Sequence, residues 1–226
     1  MSLCPAEVCR IFKSPSHLIR STRTPTLFAA EQISARRGER LLLKDVSFSL
    51  SEGQALQVTG ENGSGKTTLL RILAGLSDPD RGRVTWQSED IRQCRDQFHQ
   101  HLTFSGHHFG LRGDLTAREN LIFLLPVTLS STELLSVMER VGLTRSMDLP
   151  ARYLSQGQRR RLLLARLLAQ QSKLWILDEP LAALDRNGIA LVEQICTNHL
   201  SNGGLLVVTS HQPISSALGK LTELSL

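Results

Sequence analysis

The run Gly60-Glu61-Asn62-Gly63-Ser64-Gly65-Lys66-Thr67-Thr68 places three glycines ahead of a lysine and two hydroxyls. Glycines let successive backbone N–H groups curl around a phosphate, and a helix N-terminus adds a positive dipole end. Lys66 then offers a point charge to β- and γ-phosphates, and Thr67 a hydroxyl to Mg²⁺. The pattern G-x-x-x-x-G-K-[ST] carries weight only after a strand and before a helix. Ala55–Thr59 reads as an apolar strand and Lys66–Ala74 has helical periodicity, so both conditions are met. Alone, the loop implies a nucleotide, and a kinase or a GTPase would carry it equally well.

A second constellation is Leu174-Trp175-Ile176-Leu177-Asp178-Glu179, an apolar strand ending in two acids. Asp178 at the tip suits Mg²⁺ held through water. Glu179 beside it is placed to orient and deprotonate an attacking water. Strands ending in acids are common, and the motif gains force from the phosphate loop. A third is Ser155, a hydroxyl ahead of a helical pattern, which reads as an N-cap.

These residues need a frame. Short apolar runs predict strands at Leu27–Ala30, Ala55–Thr59, Val84–Trp86, Leu102–Phe104, Leu174–Leu177 and Leu205–Thr209. Helical periodicity falls at Lys66–Ala74, Ala117–Leu125, Thr132–Val141, Gln158–Ala169 and Gly188–Leu200. Strands alternating with helices imply an α/β fold, a largely parallel sheet covered on its faces. From about Phe109 to Tyr153 the periodicity is helical without a strand, so a helical subdomain is expected there.

A length of 226 residues suits a single domain, here 27–226, and suffices to fold without disulfides or metal staples. The cysteines at 4, 9, 94 and 196 form no C-x-x-C pair and no zinc spacing, so each is expected as a free thiol. A net charge of +5 raises nucleic acid and anionic membrane surfaces as partner classes, beside a merely solvated basic surface. No apolar run approaches the roughly 20 residues that span a bilayer. Residues 1–26 are basic, acid-poor and rich in Ser, Thr and Pro, and read as a disordered extension; a transit peptide is the other reading. Arg159-Arg160-Arg161 reads as the polar flank of a helix, and His99, His101 and His108 as solvated loop residues.

Leu154-Ser155-Gln156-Gly157-Gln158 resembles the L-S-G-G-Q signature of the ATP-binding-cassette superfamily, departing only at Gln156. Leu181-Ala182-Ala183-Leu184-Asp185 resembles that superfamily's D-loop, and Val208-Thr209-Ser210-His211 ends at its switch histidine. The likeness runs from Leu27 to His211 with the motifs in family order. It implies a P-loop NTPase core with an antiparallel β subdomain and an inserted helical subdomain, ATP and Mg²⁺ as ligands, and hydrolysis coupled to a partner. It also implies a head-to-tail dimer in which Ser155, Gly157, Gln158 and Asp185 act on nucleotide held by the other copy, with His211 beside the reacting phosphate.

Two departures narrow the resemblance. Arg37 falls where an aromatic usually stacks on adenine, and a guanidinium plane can stack in its place. His107 stands where a glutamine usually faces Mg²⁺ and the attacking water. With Trp175-Ile176-Leu177-Asp178-Glu179-Pro180 and Ser210-His211-Gln212-Pro213-Ile214, these look like the CcmA type, the ATP-binding subunit of the haem exporter of cytochrome c maturation. That likeness implies an integral membrane subunit, haem-handling maturation proteins, and a site on the cytoplasmic face of a bacterial inner membrane or the matrix side of a mitochondrial one. Nucleic-acid ATPases with this cassette need a long coiled coil between loop and signature, or two cassettes in one chain. Lys66 and Ser155 lie only 89 positions apart, and there is one cassette, so no nucleic-acid partner is expected.

Overall fold

The structure, a computed structural model, describes residues 26–106, 110–126, 128–210 and 220–226. Its strands are β1 (Phe28–Arg37), β2 (Arg40–Leu50), β3 (Gln54–Thr59), β4 (Arg81–Trp86), β5 (Glu89–Asp90), β6 (Leu102–Ser105), β7 (Leu174–Asp178), β8 (Leu205–Thr209) and β9 (Lys220–Ser225). Its helices are α1 (Lys66–Leu73), α2 (Arg95–Gln100), α3 (Ala117–Leu124), α4 (Ser131–Arg140), α5 (Gln156–Ala169) and α6 (Arg186–Ser201). The basic residues at 1–25, with Cys4 and Cys9, lie outside the described residues, as do His107, His108 and His211.

Five parallel strands form the central sheet in the order β6-β7-β8-β3-β9. Side chains alternate faces along a strand, so each buried strand divides its residues between two cores. Trp175, Leu177, Leu206 and Val208 pack with α5, α6 and the helical segment. Leu174, Ile176, Leu205 and Val207 pack on the other face with Leu69, Leu70 and Leu73 of α1 and with the antiparallel sheet. That second sheet has the order β2-β1-β4-β5. Burying one such Leu or Ile contributes about 1.5–3 kcal/mol, enough for the sheet to hold its strand tips in fixed register.

Three of the expected helices begin with a reciprocal cap written in the sequence: Thr116 with Glu119, Ser130 with Glu133, and Ser155 with Gln158. Two 3₁₀ turns follow α4, and the helices α3 and α4 pack on α5. Fully buried Asn120 fixes the approach to α3: its amide donates to the carbonyls of Arg112, Leu115 and Thr116 and accepts from the Arg112 N–H.

The histidine and arginine expectations need correction at two places. His99 sits within α2, half-buried, with Nε2 3.0 Å from the Ala74 carbonyl, so it is tied to the end of α1's turn. Arg160 is 4% exposed, because the second turn of α5 faces inward rather than to solvent. His101 is exposed as expected and stacks on Trp86. Cys94 and Cys196 are free and buried; burial pushes the Cys196 thiol up to about 12.

Candidate functional site

The phosphate loop joins β3 to α1. Gly60 has φ 147°, and a Cβ there would lie 2.7 Å from Ser64 Oγ and 2.9 Å from the Leu226 carbonyl. Gly65 caps α1 at φ 108°. Both positions therefore need glycine. Lys66 is 7% exposed, and its ammonium donates to the carbonyls of Gly60 (2.7 Å) and Glu61 (3.0 Å), which holds it over the loop. Ser64 Oγ is buried with no hydrogen-bond partner among the described residues.

β7 delivers the acids to the same place. Asp178 is 4% exposed and accepts from Thr67 Oγ1 at 3.1 Å and from Thr209 Oγ1 at 2.7 Å. Thr209 in turn accepts the Glu179 backbone N–H at 2.9 Å. This works because β7 and β8 are in parallel register with Asp178 beside Thr209. Glu179 leaves the strand at φ 49°, a left-handed conformation that costs a non-glycine residue on the order of 1 kcal/mol and turns its side chain away from the strand line.

A cleft of about 340 Å³ is bounded by Arg37, Arg40, Leu42, Asn62, Gly63, Gly65, Lys66, Thr67, Thr68 and Glu179. It joins the loop, the strand-tip acid and the β1–β2 hairpin. Glu179 also borders a smaller cleft of about 200 Å³ with Leu181, Ala182, Ala183, Leu184, Ile189 and Ser210.

Ser155, Gly157, Gln158 and Asp185 do not wall the phosphate cleft. Ser155 caps α5, accepting from the Gln158 N–H at 3.2 Å, while Gln158 engages both ends of its own amide, at the Ser155 N–H and at Ser146 Oγ. Gly157 faces the Ala183 carbonyl, 3.5 Å from where a Cβ would stand. Asp185 caps α6 through the Gly188 N–H at 2.8 Å and pairs with Arg161 at 3.2 Å. Those contacts, the Gly188 amide first, hold its carboxyl below the usual range. Signature helix and D-loop thus form one bonded unit outside the phosphate cleft.

Three residues at the site escaped the sequence reading. The signal of Thr209 is a hydroxyl at the tip of the strand that pairs beside the acid-tipped one. Arg40 shares the cleft with Arg37 and left no signal beyond charge. Arg160 lies buried with the charges of Glu179 and Asp178 acting on it. Burial lowers its affinity for the proton, and the two acids oppose that loss.

Residues 43–182 match the family described as ABC transporter. The chain is 42% identical over 203 residues to the cytochrome c biogenesis ATP-binding export protein CcmA of Vibrio vulnificus, covering 88% of this chain and 99% of that one. A protein of the same description from Nitrosococcus oceani is 44% identical over 195 residues, covering 86% and 90%. Among solved structures, a dimeric bacterial ABC transporter cassette superposes with TM-score 0.75 at 26% identity, covering 88% of this chain and 94% of that one. A dimeric cassette in a post-hydrolysis state bound to ADP and Pi gives 0.74 at 25% identity, again covering 88% and 94%.

Proposed function

The chain belongs to the ABC transporter family, and we propose that its ATP hydrolysis drives an export step of cytochrome c biogenesis with haem as the cargo. It is an ATP-binding, ATP-hydrolysing subunit. The observation that supports the specific assignment is a relative of that description matched along 99% of its length.

In this reading ATP lies in the cleft between the loop and the β1–β2 hairpin. Phosphate oxygens take the backbone N–H groups of Gly60–Thr68, the Lys66 ammonium and the spare Ser64 hydroxyl. The Thr67 hydroxyl and Asp178 carboxylate, 3.1 Å apart, are hard oxygen donors of the kind Mg²⁺ takes. Bound there, the ion supplies charge neutralisation for the β- and γ-phosphates. Glu179 accepts the proton of the attacking water, and the Thr209 hydroxyl fixes the backbone from which that carboxylate projects. Arg37 stacks on the base. His211 and His107 are assigned to the reacting phosphate and to its water, respectively.

Ser155, Gly157, Gln158 and Asp185, outside the phosphate cleft of their own subunit, serve nucleotide held by a second copy docked head to tail. No helix among the described residues is long and apolar enough to cross a membrane. The cargo path therefore belongs to an integral membrane partner, with this subunit on the cytoplasmic face of a bacterial inner membrane. Ile122, Phe123, Leu135, Leu149 and Tyr153 of the helical segment, each 46% exposed or more, offer that partner an apolar surface.

Complementation tests the reading. In a bacterium lacking its own CcmA, this chain is expected to restore haem-stained c-type cytochromes, and its Glu179→Gln variant is not. ATP hydrolysis without restored cytochromes would leave a transporter ATPase for a different cargo.

A further inference from the structure

We propose that Arg40 is a second nucleotide-binding guanidinium, gripping the phosphates of the bound nucleotide from the hairpin side, opposite the phosphate loop. The inference rests on the ATP site described above and adds to it a residue that no motif marks.

Arg37 and Arg40 are direct cross-strand partners at the closed end of the β1–β2 hairpin, joined by Gly38 and Glu39. Residues so paired project from the same face with their Cβ atoms about 5 Å apart, and like charges placed opposite each other destabilise the pair. Some other exposed arginines of this protein pair with acids, Arg83 with Glu31 and Arg92 with Asp90 among them. Arg37 and Arg40 have no acidic partner among the described residues, yet both border the phosphate cleft.

The hairpin is held where a phosphate would be. Leu42, two residues along β2 from Arg40, also borders the cleft. Its Cβ lies 3.4 Å from the position of a Cβ on Gly65, the residue that caps α1. β2 therefore crosses directly over the helix N-terminus where the loop offers its amides. A polyphosphate seated there is flanked by Lys66 on one side and the Arg40 fork on the other. It also supplies the anion whose absence makes the arginine pair repulsive. Arginine suits this task because its planar donors can bind two phosphate oxygens together.

The bland alternative is an arginine that is only solvated. It predicts no effect on nucleotide binding, and the two readings separate in one set of titrations on the full chain. With ATP, GTP and adenosine as probes, Arg40→Gln is expected to weaken both triphosphates by about 10-fold and equally, as one lost charged contact would. Adenosine, which has no phosphate, is expected to bind the variant and wild type alike. The nucleotide-free melting midpoint should not fall, since a repulsive pair has been relieved. Arg40→Lys keeps the charge without the fork and is expected to recover part of the loss. Unchanged triphosphate affinity in Arg40→Gln, with binding abolished in Lys66→Ala, would overturn the inference and leave the ATP site standing. A loss for ATP but not GTP would overturn it too, placing Arg40 at the base. If wild type binds neither triphosphate, the ATP-site reading itself fails.

Discussion

Thr209 and Asp178 stand side by side at the ends of neighbouring parallel strands, hydroxyl to carboxylate at 2.7 Å. The same hydroxyl receives the Glu179 N–H, so one side chain orients the proposed metal-binding acid and anchors the backbone of the proposed base. Thr209→Val keeps the shape and removes both bonds. A buried amide and a buried carboxylate left short of partners cost about 1–3 kcal/mol. The melting midpoint is expected to fall by roughly 3–10 °C, with a matching loss of ATPase. Thr209→Ser should retain most of both, and equal losses in the two variants would point to packing instead of the hydroxyl.

Glu179→Gln preserves size and hydrogen bonding but cannot take a proton. Hydrolysis should drop by at least ~10²-fold. With ATP and Mg²⁺ the variant is expected to accumulate as a dimer that wild type forms only briefly. Light scattering after gel filtration reads this directly, and a monomer throughout would count against the head-to-tail arrangement.

Base selectivity should be weak. The guanidinium proposed to stack at position 37 would accept any purine, and no exocyclic group need be recognised. Competition between ATP and GTP measures it. A preference above ~100-fold, about 2.7 kcal/mol, would show a base pocket beyond Arg37.

His199 stacks on Trp175 with ring centroids 3.7 Å apart and has Nε2 3.1 Å from the Leu205 carbonyl. Burial, the largest cause, lowers its pKa below the ordinary value near 6.5. The unfolded chain then binds the proton more readily than the folded one. Stability is level above that value and declines as pH falls below it, towards the folded pKa. Melting midpoints at pH 7.5 and 5.5 should diverge more for wild type than for His199→Gln. Parallel profiles would show that His199 does not carry the acid sensitivity.

The phosphate loop and the acid-tipped strand were legible because each writes its chemistry in a local pattern. The helix starts at Thr116, Ser130 and Ser155 were legible too, through their caps. β2 was not, because its apolar run is interrupted at Lys44 and Asp45, where Asp45 takes φ 50° and bonds back to Ser34 across a bulge. β9 is half-exposed and interrupts its two leucines with polar residues, and it is recruited by pairing with β3. Thr209, Arg40 and Arg160 gain their meaning from strand register, hairpin register and helix facing. Those relationships exist only once the segments have folded against one another.

The order of the parallel sheet has a consequence for biosynthesis. β3, the strand that bears the phosphate loop, is flanked by β8 and β9, so both of its neighbours come from after residue 204. A ribosome therefore exposes the loop long before it delivers the strands that hold it, and such distant pairings are slow to form. Until Leu205–Thr209 has emerged, the growing polypeptide has neither the Thr209 hydroxyl nor a register partner for Asp178. Nascent chains stalled before and after that strand should differ sharply in protease resistance. Only the longer ones should gain further protection from ATP, so that nucleotide capture waits on the emergence of β8.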